Sequence, residues 1–296
     1  MNVVGTFDAV RKLTHGRVGL VPTMGYLHEG HIAIIETAAL HTDSIVVSVF
    51  VNPLQFGSSL DLDTYPSDLE RDVDIVTRAG ADVVFAPSVS EMYPDGQSTL
   101  VRVAGVGETM EGENRPGHFD GVATVVAKLF SGLQPDVAFF GRKDAQQLAV
   151  VTTMARDLSM PVEVIGLPTV READGLALSS RNTRLDERSR TLASRISRAL
   201  FAAGALFADG ERMSAALKGS VRSVLDIEPE ISVDYIEVAD ADTARPIDNV
   251  EYDAFLAVAA RIGGVRLIDN VFLDGRTGMV DTGTKLERPS ILYGGR

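Results

Sequence analysis

The sequence predicts an α/β protein, in which a parallel sheet with helices on both faces is followed by a smaller α+β domain. Two observations support this class. Up to Leu167, short apolar runs rich in β-branched residues alternate with segments whose apolar residues recur at helical spacing. After Pro168 the order changes to two helical segments followed by strands. Alternation of strands and helices predicts a parallel sheet, because parallel strands are joined by crossovers that usually contain a helix.

The elements of the first domain follow from local patterns. Ser44 to Val51 is rich in β-branched residues and is bounded by Asn52 and Pro53, as expected of a buried parallel strand. Gly80 follows an apolar helix face and predicts the end of that helix. In chain order the predicted elements are strand Val18 to Pro22, helix His31 to Leu40, strand Ser44 to Val51, a helix with Leu69, Val73 and Val76 on one face, strand Asp82 to Ala86, helix Val122 to Leu133 opened by Asp120, strand Val137 to Phe140, a helix through Val150 to Leu158, and strand Val162 to Leu167.

The change of pattern predicts a domain boundary between Pro168 and Val170. A long helix is expected from about Asp186 to Phe207. A second helix and strands near Ile231 to Val238 and Ala254 to Ala260 follow it. The predicted domains therefore span residues 1–169 and 170–296.

Composition excludes several classes of function. The chain has 28 Lys and Arg against 41 Asp and Glu, a net charge of −13 that argues against a broad nucleic-acid interface. It contains no cysteine, which excludes thiolate metal sites and cysteine nucleophiles. No apolar stretch reaches the length of a membrane span, and the first residues do not resemble a secretory signal. We therefore expect a cytoplasmic protein that contacts neither membrane nor nucleic acid, and that gathers cations locally if its substrate is an anion.

The strongest local signal is the segment from Pro22 to His31, which joins the first strand to the first helix. Ligands of open parallel sheets bind beyond the carboxyl ends of the strands, and a helix N-terminus offers N–H groups to phosphate. His28 and His31 could donate hydrogen bonds to phosphoryl oxygens or transfer protons, while Gly25 and Gly30 allow a close backbone approach. The alternative is that both histidines only cap the loop. The segment lacks the spacing of a zinc-protease motif and of a P-loop.

Three further segments combine polar side chains with predicted turns. Phe139 to Gln147 places Lys143, which can neutralise phosphate, beside Asp144, which could contact a ribose hydroxyl or Mg²⁺. Val170 to Asn182 has hydroxyls followed by an arginine, a pattern suited to phosphate. Val51 to Gly57 offers neutral amides to an oxygen-rich small molecule. Each segment also has a structural alternative: a solvated helix start for the first, a helix-capping loop for the second, and a turn with a core phenylalanine for the third.

Together the segments resemble the pantothenate synthetase family, and the resemblance covers about Arg17 to Leu185 with the motifs in family order. The matching motifs are PTMG-x-LHEGH, FVNP-x-QF, GHF-x-GV at Gly117 to Val122, KD-x-QQ and VREADGLA-x-SSRN. The resemblance implies a Rossmann-like nucleotide-binding domain with a smaller domain that helps to close the site, usually in a homodimer. It implies that ATP, accompanied by Mg²⁺, joins pantoate to β-alanine through an acyl adenylate with release of AMP and pyrophosphate.

The same resemblance assigns roles to individual residues. His31 would be the proton donor, with His28, Lys143 and Arg181 as the other catalytic groups. Gln55 and Gln147 would hold pantoate, Gln55 would also lie near β-alanine, and Asn52 would complete the pocket. The residues that would contact ATP are Met24, Gly25, Tyr26, Leu27, His28, Glu29, Gly30, His31, Gly141, Arg142, Lys143, Asp144, Val170, Leu178, Ser179, Ser180 and Arg181.

The sequence departs from the family pattern at Arg142, at Ala145 and at Leu178, where glutamate, an aromatic residue and methionine are usual. The positive charge of Arg142 is expected to alter nucleotide affinity, and Ala145 is expected to loosen the packing near the site. Two alternatives stay open. A nucleotidylyltransferase would share the histidine loop but would need more cations where Gln55 and Gln147 stand, and a catalytically silent nucleotide-binding module would not release pyrophosphate.

Overall fold

A computed structural model of the chain describes residues 1–57 and 62–293. The chain divides into two compact units, Met1–Gly141 with Val150–Leu167 and Arg142–Ala149 with Pro168–Arg296. The predicted domain ranges include two short segments, 58–61 and 294–296, that lie outside the described residues.

The first unit is built from parallel strands and the helices that connect them. Its strands are β1 (Asn2–Val4), β2 (Val18–Thr23), β3 (Ser44–Val49), β4 (Val83–Phe85), β5 (Val137–Gly141) and β6 (Glu163–Leu167). Its helices are α1 (Phe7–Leu13), α2 (Glu29–Ala39), α3 (Leu69–Arg78), the single turns α4 (Val89–Met92) and α5 (Glu111–Asn114), and α6 (His118–Leu133). Helix α7 (Ala145–Asp157) starts in the second unit and ends in the first. A 3₁₀ turn, Pro53–Gln55, follows β3.

The six strands form one parallel sheet in the order β1-β4-β3-β2-β5-β6. The chain passes from β2 to β3 on one side of β2, whereas β5 pairs with the other side through Gly19↔Val137 and Leu20↔Ala138. Such a reversal of direction marks the usual ligand site of an open α/β sheet, which lies beyond the carboxyl ends of the strands.

Burial explains why the central strands read as continuous apolar runs. Residues of β3 are buried from Ser44 to Ser48, because helices cover both faces of a parallel sheet. Helix α2 contributes Ile35 and Ala38 to this core, and α3 contributes Val76. Gly80, in the left-handed region with φ of +90°, follows the end of α3 as predicted.

The second unit is α+β. It contains β7 (Val170–Arg171), α8 (Glu187–Ala208), α9 (Ser214–Leu225), β8 (Ser232–Asp240), β9 (Asp253–Ile262), β10 (Val265–Asp274), β11 (Val280–Asp281) and β12 (Thr284–Lys285), with 3₁₀ turns at Arg142–Asp144, Ser180–Arg184 and Ile291–Tyr293. Strands β11-β10-β9-β8 form an antiparallel sheet, and β12 pairs in parallel with β7. The core joins Leu200 and Phe207 of α8 to Leu217 of α9 and to Leu256 and Val258 of β9.

The fold class predicted from the sequence is confirmed by the parallel sheet of the first unit and the separate antiparallel sheet of the second. One detail was wrong. Helix α6 begins at His118 after Gly117, whose φ is +81°, so Asp120 lies in the first turn of the helix and does not open it. The sequence reading also missed β1, α1 and β10, the last of which pairs along its whole length with β9.

No helix in the described part of the chain is long and apolar enough to cross a membrane.

Candidate active site

The loop after β2 is held in shape by a buried carboxylate. Gly25 and Tyr26 both have positive φ, +82° and +54°, which turn the chain sharply after Thr23. Asp72 of α3 then accepts hydrogen bonds from the backbone N–H groups of Tyr26, at 2.7 Å, and Leu27, at 2.8 Å. A Cβ at position 25 would lie 2.9 Å from Asp72 Oδ2 and would strain this contact, so the loop requires glycine there.

Burial dominates the electrostatics of Asp72, whose side chain is only 1% exposed. Desolvation raises the pKa of Asp72 above its ordinary value, although the two backbone N–H donors act in the opposite direction. The carboxyl group therefore acts as an anchor for the loop backbone.

His28 and His31 form a reciprocal cap at the start of α2. The backbone N–H of Gly30 donates to Nδ1 of His28, and the backbone N–H of His28 donates to Nδ1 of His31, each at 3.2 Å. The two ring centroids are 4.1 Å apart. An imidazole that accepts at Nδ1 carries its proton on Nε2, so each neutral ring has Nε2–H as its donor.

This arrangement revises the expectation for the helix N-terminus. The N–H groups of His28 and Gly30 are used inside the cap, and each neutral imidazole carries its proton on Nε2. The capping role that was the alternative to function is present in the structure. It is compatible with function, because the cap selects the donor tautomer.

Gln55, buried in the 3₁₀ turn after β3, is the centre of a second cluster in the first unit. Asn52 Nδ2 donates to Gln55 Oε1 at 2.9 Å, and Gln55 Nε2 donates to the sulfur of Met24 at 3.1 Å. Tyr93 donates its hydroxyl proton to Asn52 Oδ1 at 2.7 Å, and burial raises the pKa of that phenol. The cluster joins the loop after β2 to the turn after β3.

The backbone of Gln55 is held by Arg115, which precedes α6, and by His118, the first residue of α6. His118 Nδ1 donates to the carbonyl oxygen of Gln55 at 2.8 Å, and Arg115 donates to the same oxygen at 3.2 Å. Gly121 lies so close that a Cβ there would be 2.4 Å from the carbonyl oxygen of Leu54. This close approach explains why the second glycine of the GHF-x-GV motif, Gly121, cannot carry a side chain.

In the second unit, Arg142 pairs with Asp281 at 2.9 Å and its guanidinium stacks on the ring of Phe272 at 5.1 Å. The neighbouring Lys143 lies 3.5 Å from Asp144, with its side chain 18% exposed. The positive charge of Arg142, expected to alter nucleotide affinity, is therefore already neutralised by a carboxylate. Of the two cations in this segment, Lys143 lies farther from its carboxylate partner, at 3.5 Å, than Arg142 does, at 2.9 Å.

The VREADGLA-x-SSRN motif folds back on itself in the second unit. The backbone N–H of Leu178 donates to the carbonyl of Val170 at 3.0 Å, which closes the stretch between these two residues into a loop. Ser179 caps the 3₁₀ turn by accepting from the N–H of Arg181 at 3.3 Å. Leu178 and Ser180 are buried, and Arg181 is half-buried.

The predicted residues are divided between the two units, and several of those in the first unit are in contact. In the first unit Met24 contacts Gln55, which contacts Asn52, and His28 contacts His31. In the second unit, Gln147 is half-buried in the first turn of α7, after Lys143 and Asp144.

Sequence reasoning missed the residues that hold these clusters. Asp72 could have been found, because it lies on the same helix face as Val73 and Val76, where a charged residue is unexpected. Tyr93 and Arg115 lie outside every motif named above, and Asn270, which donates to the carbonyls of Arg142 and Lys143, lies beyond Leu185, where the family resemblance ends.

Comparison with known proteins agrees with this architecture. The family model described as pantoate-beta-alanine ligase matches residues 2–272. The pantothenate synthetase of Roseiflexus castenholzii is 50% identical over 92% of this chain and 98% of its own length, and that of Moorella thermoacetica is 49% identical over 93% and 99%.

Two solved structures are also similar. The pantothenate synthetase of Thermus thermophilus has a TM-score of 0.88 at 48% identity, covering 91% of this chain and 98% of that one. The pantoate-beta-alanine ligase of Francisella tularensis, complexed with beta-gamma ATP and beta-alanine, has a TM-score of 0.75 at 33% identity, covering 91% and 97%. A family model over most of the chain and relatives of this identity establish the relationship: the chain belongs to the pantoate-beta-alanine ligase family.

Proposed function

We propose that this ATP-dependent pantoate–β-alanine ligase forms its amide bond through a pantoyl adenylate, with release of AMP and pyrophosphate. A carboxylate does not react with an amine until its oxygen becomes a leaving group. Transfer of the adenylyl group to pantoate supplies that leaving group, and the amine of β-alanine then displaces AMP. A ligand pair of ATP and β-alanine bound to the Francisella tularensis relative supports this assignment of substrates.

The cations and donors of the site match the charge that develops in the first step. The pantoate carboxylate must approach an anionic α-phosphate, so the phosphate oxygens need donors in place before the reaction. His31 would donate from Nε2, the atom that its cap leaves protonated. Lys143 and Arg181 would neutralise the departing pyrophosphate, and His28 would support His31 through their shared cap.

The neutral amides are assigned to the organic substrates. Gln55 and Gln147 would bind the hydroxyl and carboxylate oxygens of pantoate, with Gln55 also near β-alanine. The remaining ATP contacts would come from the loop after β2, from Gly141 to Asp144, from Val170 and from Leu178 to Ser180.

Mg²⁺ fits this site as a companion of ATP. Within residues 1–57 and 62–293 no group of three or more acidic or histidine side chains forms a cage for a metal ion. Mg²⁺ usually keeps several waters and binds through substrate phosphates and one or two carboxylates. Asp144, 45% exposed beside Lys143, is the carboxylate that would hold it, and the ion would neutralise phosphate charge.

The observation that carries the proposal is the reciprocal cap of His28 and His31, which places imidazole donors at the carboxyl end of β2. The test is pantoate-dependent exchange of labelled pyrophosphate into ATP without β-alanine. We expect exchange with the parent enzyme, and a loss of about 100-fold or more in both His31→Ala and Lys143→Ala, the scale for one preorganised donor.

Circular dichroism of both variants controls for folding. Formation of ADP and phosphate, or no pantoate-dependent exchange in the parent enzyme, would contradict the adenylate mechanism. Exchange at the parent rate in both variants would instead contradict the roles of His31 and Lys143. A chain that released no pyrophosphate at all would be the silent nucleotide-binding module.

Three broader proposals come from the sequence: the location and the domain ranges from its composition and patterning, and the oligomeric state from the family resemblance. The enzyme acts in the cytoplasm, it forms a homodimer, and its functional domains span residues 1–169 and 170–296. Light scattering of the protein as it elutes from a size-exclusion column measures its molar mass and tests whether it is a homodimer.

A further inference from the structure

Asn270, in the middle of β10, contacts the carbonyl oxygens of the two peptide units that flank Lys143. Its Nδ2 donates to the carbonyl oxygen of Arg142 at 3.0 Å and to that of Lys143 at 2.7 Å. Both amide protons of the side chain are therefore used on two consecutive carbonyls. A contact at two points fixes the rotation as well as the position of this short segment.

The orientation of the Asn270 amide is unambiguous, because backbone carbonyls can only accept. Nδ2 must face them, and Oδ1 must face away. Asn270 is 4% exposed, and its buried Oδ1 has no hydrogen-bond partner among the described residues.

A buried ion pair, Arg171 with Asp269, contacts the backbone of Asn270. Arg171 is 0% exposed and pairs with Asp269 through both Nη atoms, at 2.6 and 2.9 Å. Arg171 also donates to the carbonyl of Asn270 at 2.9 Å, and the N–H of Asn270 donates to Asp269 at 2.7 Å. The arginine of the VREADGLA motif thus supports, through β10, the lysine of the KD-x-QQ motif.

We propose that Asn270 is a positioning residue for Lys143, and that it sets the path of the backbone from which the ammonium group reaches the phosphates of ATP. This inference rests on the proposed role of Lys143. Lys143 has four rotatable side-chain bonds, so its Nζ can be placed reproducibly only if its backbone is fixed. The ion pair of Arg142 with Asp281 also restrains this segment, because Arg142 is the residue before Lys143.

The test compares Asn270→Leu and Asn270→Asp with the exposed control Asn249→Asp. Leucine removes both donors at similar volume, and aspartate places a carboxylate against two carbonyl oxygens. We expect the pyrophosphate-exchange kcat to fall by about 10-fold or more in both Asn270 variants, since small misplacements of catalytic groups cost up to about 100-fold. The KM for pantoate should stay within about 3-fold, and the control should match the parent.

A double-mutant cycle separates positioning from general structural damage. If Asn270 acts through Lys143, adding Asn270→Leu to Lys143→Ala should change the exchange rate by less than about 2-fold, because the group being positioned is gone. Rates are expressed per folded protein, measured by circular dichroism, and Asn270→Asp serves if the leucine variant does not fold.

The outcomes distinguish the two proposals. Full exchange activity in Lys143→Ala would overturn the role of Lys143 and with it this inference. If Lys143→Ala loses exchange but Asn270→Leu exchanges at the parent rate, the role of Lys143 stands and the positioning role of Asn270 is overturned. Additive effects of the two substitutions in the double variant would overturn the positioning role in the same way.

Discussion

At the scale of single residues, Asn52 shows how backbone groups determine the polarity of the Gln55 amide, which we propose binds pantoate. Its Oδ1 accepts from the N–H of Leu54 at 3.3 Å, and its Nδ2 donates to the carbonyl of Gly121 at 3.1 Å. These backbone partners fix which atom is which, so Tyr93 must donate to Oδ1 and Gln55 must present Oε1 to Nδ2. Asn52 then has no hydrogen-bonding atom left for a substrate, and Gln55 offers Nε2–H.

Replacing Asn52 by aspartate should reverse this polarity. The new carboxylate would repel Gln55 Oε1, turn the Gln55 amide over and direct an oxygen at the oxygens of pantoate. We expect the KM for pantoate to rise about 10- to 100-fold near neutral pH, the scale of one lost and reversed hydrogen bond, with little change in the KM for ATP. The rise should shrink towards about pH 5, since burial at this 1% exposed position raises the pKa of the introduced carboxyl group and its protonation restores a donor.

Tyr93→Phe is the matched variant for this prediction. It removes one donor to Asn52 Oδ1 but leaves the Leu54 and Gly121 contacts, so the KM for pantoate should change by less than about 3-fold. Equal effects of Asn52→Asp and Tyr93→Phe, or a pH-independent effect of the former, would show that Asn52 acts only through stability.

At the scale of elements, the position of Gln55 depends on how closely α6 packs on the 3₁₀ turn Pro53–Gln55. A Cβ on Gly121 would lie 2.4 Å from the Leu54 carbonyl oxygen and 2.7 Å from the Gln55 nitrogen. Backbone atoms cannot move aside as a flexible side chain can. We expect Gly121→Ala to displace the turn, destabilise the protein by about 1–3 kcal/mol and raise the KM for pantoate.

Gly219→Ala is the control at this scale. Gly219 lies in α9 with no atom within 4 Å of its virtual Cβ, so alanine should stabilise the protein by about 0.5–1 kcal/mol through helix propensity. Urea unfolding and substrate kinetics measure both variants. A Gly121→Ala enzyme with the parent KM would show that the turn tolerates displacement.

At the scale of the whole molecule, the two units have separate cores, and a buried ion pair supports only one of them. Removing the partner of the 3% exposed Asp269 by Arg171→Met leaves a buried charge uncompensated, which costs about 3–5 kcal/mol. We expect amide hydrogen exchange to accelerate across β8, β9 and β10, while β2, β3 and β5 keep their protection.

Arg78→Met provides the comparison, because Arg78 and its partner Asp74 are 78% and 61% exposed and such pairs contribute about 0–1 kcal/mol. Equal loss of protection in both sheets of the Arg171→Met variant would mean that the units unfold together. In that case the ion pair would stabilise the entire chain.

Much of this protein could be predicted from its sequence because the relevant signals are local. Strands and helices follow from the spacing of apolar residues, which explains the success for β2, β3 and α8. The loop of His28 and His31 and the segment of Lys143 were found because polar residues and turns stand together at strand ends.

Partners far apart in the chain were decided only by the tertiary structure. Tyr93 meets Asn52, Asp72 meets the loop of Tyr26, and Asn270 meets the segment of Lys143, across separations of 41, 46 and 127 residues. The residue type of Asn270 gives no sign of the carbonyls it contacts. A hydrogen bond depends on distance and angle in space, which arise only when β10 is paired in its sheet and the buried pair of Arg171 and Asp269 holds it there.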